Sequence, residues 1–109
     1  MAEKYCLTWS DFNLHVVKGL NELRNENYFC DVTLVSDEDH EFQAHKVILS
    51  TCSDYFKNLL RNKKDSHPLV CIDGLSCQEL KNVITYIYSG EVIMESHHLE
   101  RFMLMNYLL

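Results

Sequence analysis

The sequence predicts an α+β fold in which helices alternate with short strands. Three observations carry that expectation. Glycine and proline are scarce, three and one in 109 residues, which argues against an all-β sandwich with its many turns. A β-branched run, Cys30-Asp31-Val32-Thr33-Leu34-Val35, is followed by a polar turn and a second short run. Apolar residues also recur at helical spacing, most clearly at Leu80, Val83, Ile84 and Ile87. The length fits one compact domain over residues 1–109, and an apolar fraction of 47% is enough to fill a core.

Each element has a local reason. Tyr5-Cys6-Leu7-Thr8-Trp9 reads as a short strand or extended arm. Ser10 is a candidate N-cap for a helix running to about Asn25. On it, Phe12, Val16, Leu20 and Leu23 fall within roughly an 80° arc at about 100° per residue. Leu14 and Val17 fall outside that arc, so the helix is apolar on two sides. Asp37-Glu38-Asp39 forms a hairpin turn whose carboxylates are expected to be solvated, and Glu41-Phe42-Gln43-Ala44 returns as the second strand. His45 to Ser50 reads as a short helix, and Ser53 caps another carrying Tyr55, Phe56, Leu59 and Leu60. Asn62 to Pro68 is a loop, and Leu69-Val70-Cys71-Ile72 a buried strand. Ser76-Cys77-Gln78-Glu79 is a capping box that opens a helix closed by Gly90. Glu91-Val92-Ile93 reads as a short strand. Ser96 caps a last helix from Leu99 to the chain end, with Leu99 and Met103 on one side and Leu104 and Leu108 nearly opposite. A helix apolar nearly all round wants covering by further protein.

Composition excludes several function classes. The net charge is −6, whereas a nucleic-acid binder needs a basic stripe to neutralise phosphates. The only basic cluster, Arg61, Lys63 and Lys64, reads as a solvated loop tip, so no direct nucleic acid contact is expected. Five cysteines, an odd number, with no apolar signal core at the N-terminus favour reduced thiols in the cytosol or nucleus. No apolar run approaches the roughly 20 residues that cross a bilayer, so no membrane partner is expected. There is no Cys-x-x-Cys, no His-x-x-x-His and no Gly-rich phosphate loop, so no catalytic, cofactor-binding or metal-binding residue is assigned. The thiols are expected to be buried and the imidazoles mostly exposed.

Three stretches carry a family resemblance. Asp31-Val32-Thr33-Leu34, then Phe42-Gln43-Ala44-His45-Lys46-Val47-Ile48-Leu49-Ser50, with Ser53-x-Tyr55-Phe56 after it, resembles the core signature of BTB/POZ domains. Tyr86-x-Tyr88-Ser89-Gly90-Glu91-Val92 is similar to the later helix-to-strand junction of that family. Tyr5-Cys6-Leu7-Thr8-Trp9 with Phe12 and Leu14 resembles the Tramtrack group, best known from insect transcription factors. That group usually carries Arg then Trp-Asn-Asn, where Thr8-Trp9-Ser10-Asp11 stands here. The resemblance implies a BTB/POZ fold, a cluster of helices flanked by a short mixed sheet, here lacking the closing C-terminal helical hairpin.

The resemblance also implies a non-enzymatic module that dimerises through the first helix and an exchanged N-terminal strand. Leu7, Trp9, Phe12, Leu14 and Val17 are then the dimer-interface candidates. Phe12, Val16, Leu20 and Leu23 serve the subunit core, while Leu14 and Val17 meet the partner. Asp31 and Lys46 form a charged pocket at the dimer groove. The expected partners are a second copy, in a homodimer or larger even-numbered assembly, and other BTB proteins or co-regulators. The expected setting is nuclear transcription regulation. The alternative is a substrate adaptor for a cullin-type ubiquitin ligase. Leu60-Arg61-Asn62-Lys63-Lys64-Asp65 lacks the glutamate that adaptors carry in this loop, which weakens that alternative.

Overall fold

A computed structural model describes residues 2–109; Met1, where the N-terminal reading begins, lies outside the described residues. The elements in order are α1 (Phe12–Asn25), β1 (Val32–Val35), β2 (Glu41–Ala44), α2 (Lys46–Cys52), α3 (Asp54–Leu60), β3 (Leu69–Cys71), α4 (Cys77–Ser89), α5 (Ser96–Leu104) and a 3-10 turn over Asn106–Leu108. The sheet order is β2-β1-β3. β1 pairs antiparallel with β2, Leu34 opposite Phe42, and parallel with β3, Leu34 opposite Val70. All four residues of β1 are buried, as its unbroken β-branched run requires of a central strand. Thr33 is buried with its hydroxyl oxygen 2.8 Å from His67 Nε2.

The core lies between the sheet and the helices. Val32 and Leu34 meet Leu49, Phe56, Leu80, Val83 and Ile84, all fully buried. Two caps behave as their local sequence dictates. Ser53 Oγ accepts from Phe56 N–H at 3.3 Å. Ser76 Oγ accepts from Glu79 N–H while Glu79 Oε1 accepts from Ser76 N–H, the reciprocal box. Gly90 ends α4 at φ 77°, its N–H bonded to Tyr86 O. Arg101 ties α5 to this corner, donating to Glu79 Oε2 at 2.7 Å and to Gly74 O at 2.6 Å.

Several expectations are corrected. α1 starts at Phe12 with Asp11 in the cap position and no side-chain cap bond, so Ser10 does not cap it. Ser96 is the first residue of α5, and Glu95 occupies its cap position. β3 is an edge strand with one covered face: side chains alternate, so Val70 and Ile72 turn inward while Leu69 and Cys71 face solvent. Glu91-Val92-Ile93 forms no strand, since no edge of this subunit reaches it, and Ile93 is 99% exposed. The hairpin carboxylates are not simply solvated. Asp37 accepts from Gly74 N–H and Glu38 from Cys77 N–H, the latter serving an otherwise orphan donor at the start of α4. No cysteine is buried among the described residues, while His45 is.

The C-terminus differs most. α5 ends at Leu104, and the chain tightens at Met105 into the 3-10 turn. A continued α-helix keeps Leu104 and Leu108 on one face. The break separates them: Leu108 becomes fully buried in the core, Met105 is buried beside it, and Leu104 stays in water. Tyr107 stacks edge-on against Tyr55 of α3 at 5.8 Å. Leu99, Met103 and Leu104 remain exposed.

Candidate protein-interaction surface

The N-terminal arm stands off the body. A compact chain of this length has a radius of gyration of about 13 Å, yet here it is 16.5 Å, with a longest dimension of 62 Å. Residues 2–9 pair with no strand. Tyr5, Leu7 and Trp9 alternate along the arm, Leu7 being 94% exposed. Trp9 leans on the start of α1, its ring 5.1 Å from Phe12 and 5.0 Å from His15. An extended segment with period-two apolar residues and unpaired backbone lacks the partners that strands require.

α1 has no fully buried residue. Its packed side is set by three groups. Leu20 packs against the core, Asn21 donates to Tyr88 O at 3.3 Å, and the Arg24 guanidinium lies 4.8 Å over the Tyr88 ring. Val17 sits on that side by helical spacing and is half-buried. Val16, Val17, Leu20 and Leu23 are all half-buried, whereas Phe12 is 47% exposed and Leu14, on another side of the helix, is 71% exposed. Val16, Gly19, Leu20 and Leu23 line an open groove of about 410 Å³, with His15, Glu22 and Glu26 at its polar margin. The packed face also carries Asn21 and Arg24, which no apolar pattern reveals.

Asp31 and Lys46 do come together, but not as an ion pair. Asp31 Oδ1 accepts from the backbone N–H of Lys46 at 2.7 Å, the first residue of α2. A carboxylate there satisfies an orphan amide and meets the positive end of the helix. The Lys46 ammonium instead donates to Asp65 O and Ser66 O. A second groove of about 410 Å³ runs past both residues, along Val47, Ser50, Lys57 and Leu60.

Beneath α1 lies a polar network that the sequence did not announce. His45 Nε2 is 2.8 Å from Tyr28 O; a carbonyl only accepts, so Nε2 carries the proton. Nδ1 then accepts from the Tyr88 hydroxyl at 2.6 Å, and that oxygen accepts the His45 backbone N–H at 2.9 Å. Burial pushes the Tyr88 hydroxyl up to about 12, so it stays a neutral donor. Burial also lowers the Arg24 pKa and raises that of Cys30. The same histidine holds the loop after α1, where Asn27 and Phe29 take φ of 58° and 62°. Asn tolerates that region; for Phe it costs about 1–3 kcal/mol. Phe29 is nonetheless 82% exposed.

Among the described residues no three His, Cys, Asp or Glu side chains are grouped to hold a metal ion. No helix is long and apolar enough to cross a membrane. The arrangement offers apolar and backbone contact surface.

Comparison with known proteins agrees with that character. The family model for the BTB/POZ domain matches residues 20–109. Protein abrupt of Drosophila melanogaster is 39% identical over 101 residues, covering 93% of this chain and 11% of that protein. The longitudinals lacking protein-like of the same organism is 36% identical, covering 93% of this chain and 79% of that protein. Protein tramtrack, alpha isoform, is 29% identical over 94% of this chain and 12% of its own length. The chain thus spans a small part of some relatives and most of another. Among solved structures, the BTB domain of zebrafish PATZ1 superposes with a TM-score of 0.81 at 23% identity, covering 97% of this chain and 86% of that one, which shows a shared fold.

Proposed function

The chain belongs to the BTB/POZ domain family of protein-interaction modules, and we propose that it works by self-association, as the homodimerising part of a nuclear transcription regulator. The observation that carries this reading is the unpaired arm, with Tyr5, Leu7 and Trp9 presented to solvent next to the outer side of α1. A second copy offers what the arm lacks. Its extended Glu91-Val92-Ile93 segment is also unpaired, and its Ile93 is bare. Strand exchange between two copies satisfies both backbones and covers Leu7, Trp9, Phe12 and Leu14 in one isologous contact. Other BTB proteins or co-regulators are the further partners. Asp31 and Lys46 shape the adjoining groove, and any DNA contact belongs to other sequence.

The test is mass in solution by light scattering and sedimentation at several concentrations. Wild type is expected to run as a dimer or a larger even-numbered assembly. Leu7→Asp with Leu14→Asp sets like charges across the two-fold contact and is expected to give monomer with unchanged secondary structure, because both residues are exposed in the subunit. Val17 is left alone, since a charge there disturbs the subunit itself. A double variant that sediments like wild type refutes the assignment.

A further inference from the structure

The tip of the loop between α3 and β3 takes no part in either groove: Lys63 and Lys64 line neither. Arg61, Lys63 and Lys64 form no ion pair among the described residues, and the chain is exposed without a break from Arg61 to His67. In a chain of net charge −6 this tip is a local excess of positive charge. The cations stand ahead of a hydroxyl. Ser66 has Lys63 and Lys64 three and two positions before it, and Arg61 five before it. No other serine or threonine of the chain has Lys or Arg two or three positions before it.

The loop also leaves that hydroxyl free. Among the described residues Ser66 is bonded only through its carbonyl, which accepts from Lys46 Nζ at 3.4 Å. The backbone N–H groups from Lys64 to His67 donate to nothing in the chain. Both ends are fixed, by Lys63 N–H on Leu60 O at 3.1 Å and by Thr33 N–H on Pro68 O at 3.0 Å. The segment between them can be drawn out along another protein without breaking a backbone bond. Exposed polar loop tips are where processing enzymes reach a folded chain.

We propose that Ser66 is the phosphoacceptor of a serine kinase whose substrate groove is acidic. Kinases choose substrates in part by charge pattern, and cations ahead of a serine suit a groove lined with carboxylates. In the transfer, Ser66 Oγ attacks the γ-phosphorus of ATP. The new Oγ–P bond forms as the bond to ADP breaks, and the hydroxyl proton passes to the kinase's catalytic carboxylate. The product carries a charge of about −2. It stands beside the Lys46 ammonium and cancels most of the positive excess at the tip. The site does not depend on self-association.

The test incubates the full folded chain with MgATP and cyclic-AMP-dependent protein kinase, which selects cations ahead of serine. Mass spectrometry then locates the phosphate. One phosphoryl group on Ser66 is expected, and none in Ser66→Ala. Lys63→Ala with Lys64→Ala changes two exposed side chains, so the fold is kept. That double variant is expected to lose about tenfold or more in kcat/KM, while Lys63→Arg with Lys64→Arg stays near wild type. Absence of transfer to the folded chain overturns the proposal, even where a peptide of the same loop is phosphorylated, because the fold then holds the serine out of reach. Transfer chiefly to another residue, or an alanine double variant that reacts like wild type, overturns it equally.

Discussion

Leu104 and Leu108 are the same residue type, one helical repeat apart, and the break at Met105 gives them opposite fates. Replacing each by alanine separates the two environments. Leu108 has no exposed surface. Removing its side chain forfeits about 1.5–3 kcal/mol of burial, and the cavity left behind adds to that. Leu→Ala substitutions in cores cost about 2–5 kcal/mol. A domain of this size changes melting temperature by roughly 4–8 °C per kcal/mol, so a fall of at least about 8 °C is expected. Leu104→Ala touches an exposed side chain and is expected to stay within about 0.5 kcal/mol of wild type. Thermal unfolding followed by circular dichroism, with all chains at one concentration so that association contributes equally, reads both. If Leu108→Ala melts within about 3 °C of wild type, or Leu104→Ala falls as far, the seating of the 3-10 turn is wrong.

Two further outcomes follow from the ends of α4. Burial raises the Glu79 pKa, but the Ser76 amide and Arg101 outweigh it and hold the carboxyl below its ordinary value of 4.5. A depressed pKa contributes stability that is present above 4.5 and lost as pH falls through the lower folded value. Urea titrations from pH 6 to pH 3 are therefore expected to show a steeper acid loss in wild type than in Glu79→Gln, and equal slopes refute the assignment. At Gly90, φ is 77° and a Cβ meets nothing within 4 Å, so Gly90→Ala isolates the backbone cost, about 1–2 kcal/mol in the urea midpoint. Gly90→Asn is expected to recover part of that cost, and an alanine variant as stable as wild type refutes it.

What was readable in the sequence is what local chemistry decides. Ser76, Glu79 and Gly90 fix both ends of α4 within a few residues of themselves, and Leu80, Val83, Ile84 and Ile87 are all buried, as their spacing predicts. The hairpin around Asp37 and the Ser53 cap are equally local. The misreadings depend on distant partners. Glu91-Val92-Ile93 has the composition of a strand but finds no edge in its own subunit. α5 stops at Met105 without a glycine or proline, because Leu108 and Tyr107 gain more from the core and Tyr55 than from another helical turn. On α1, Asn21 and Arg24 occupy the packed face through contacts with Tyr88 of α4, which a count of apolar residues does not reveal. Asp31 and Lys46 were readable as neighbours only by resemblance, and even then the bond runs through a backbone amide.

The position of β1 at the centre of the sheet also orders the assembly of the chain. Its antiparallel neighbour arrives after a separation of about 8 residues, Leu34 to Phe42, whereas its parallel neighbour lies about 36 residues away, Thr33 to Leu69. Closing the longer loop costs about 1.3 kcal/mol more in chain entropy. The hairpin therefore closes first, while residues 69–71 wait for α2 and α3 to form the crossover. Until they dock, one side of an apolar central strand carries open donors and acceptors, among them the Thr33 amide that later binds Pro68 O. During synthesis and refolding, that bare edge is where nascent chains are expected to pair with one another.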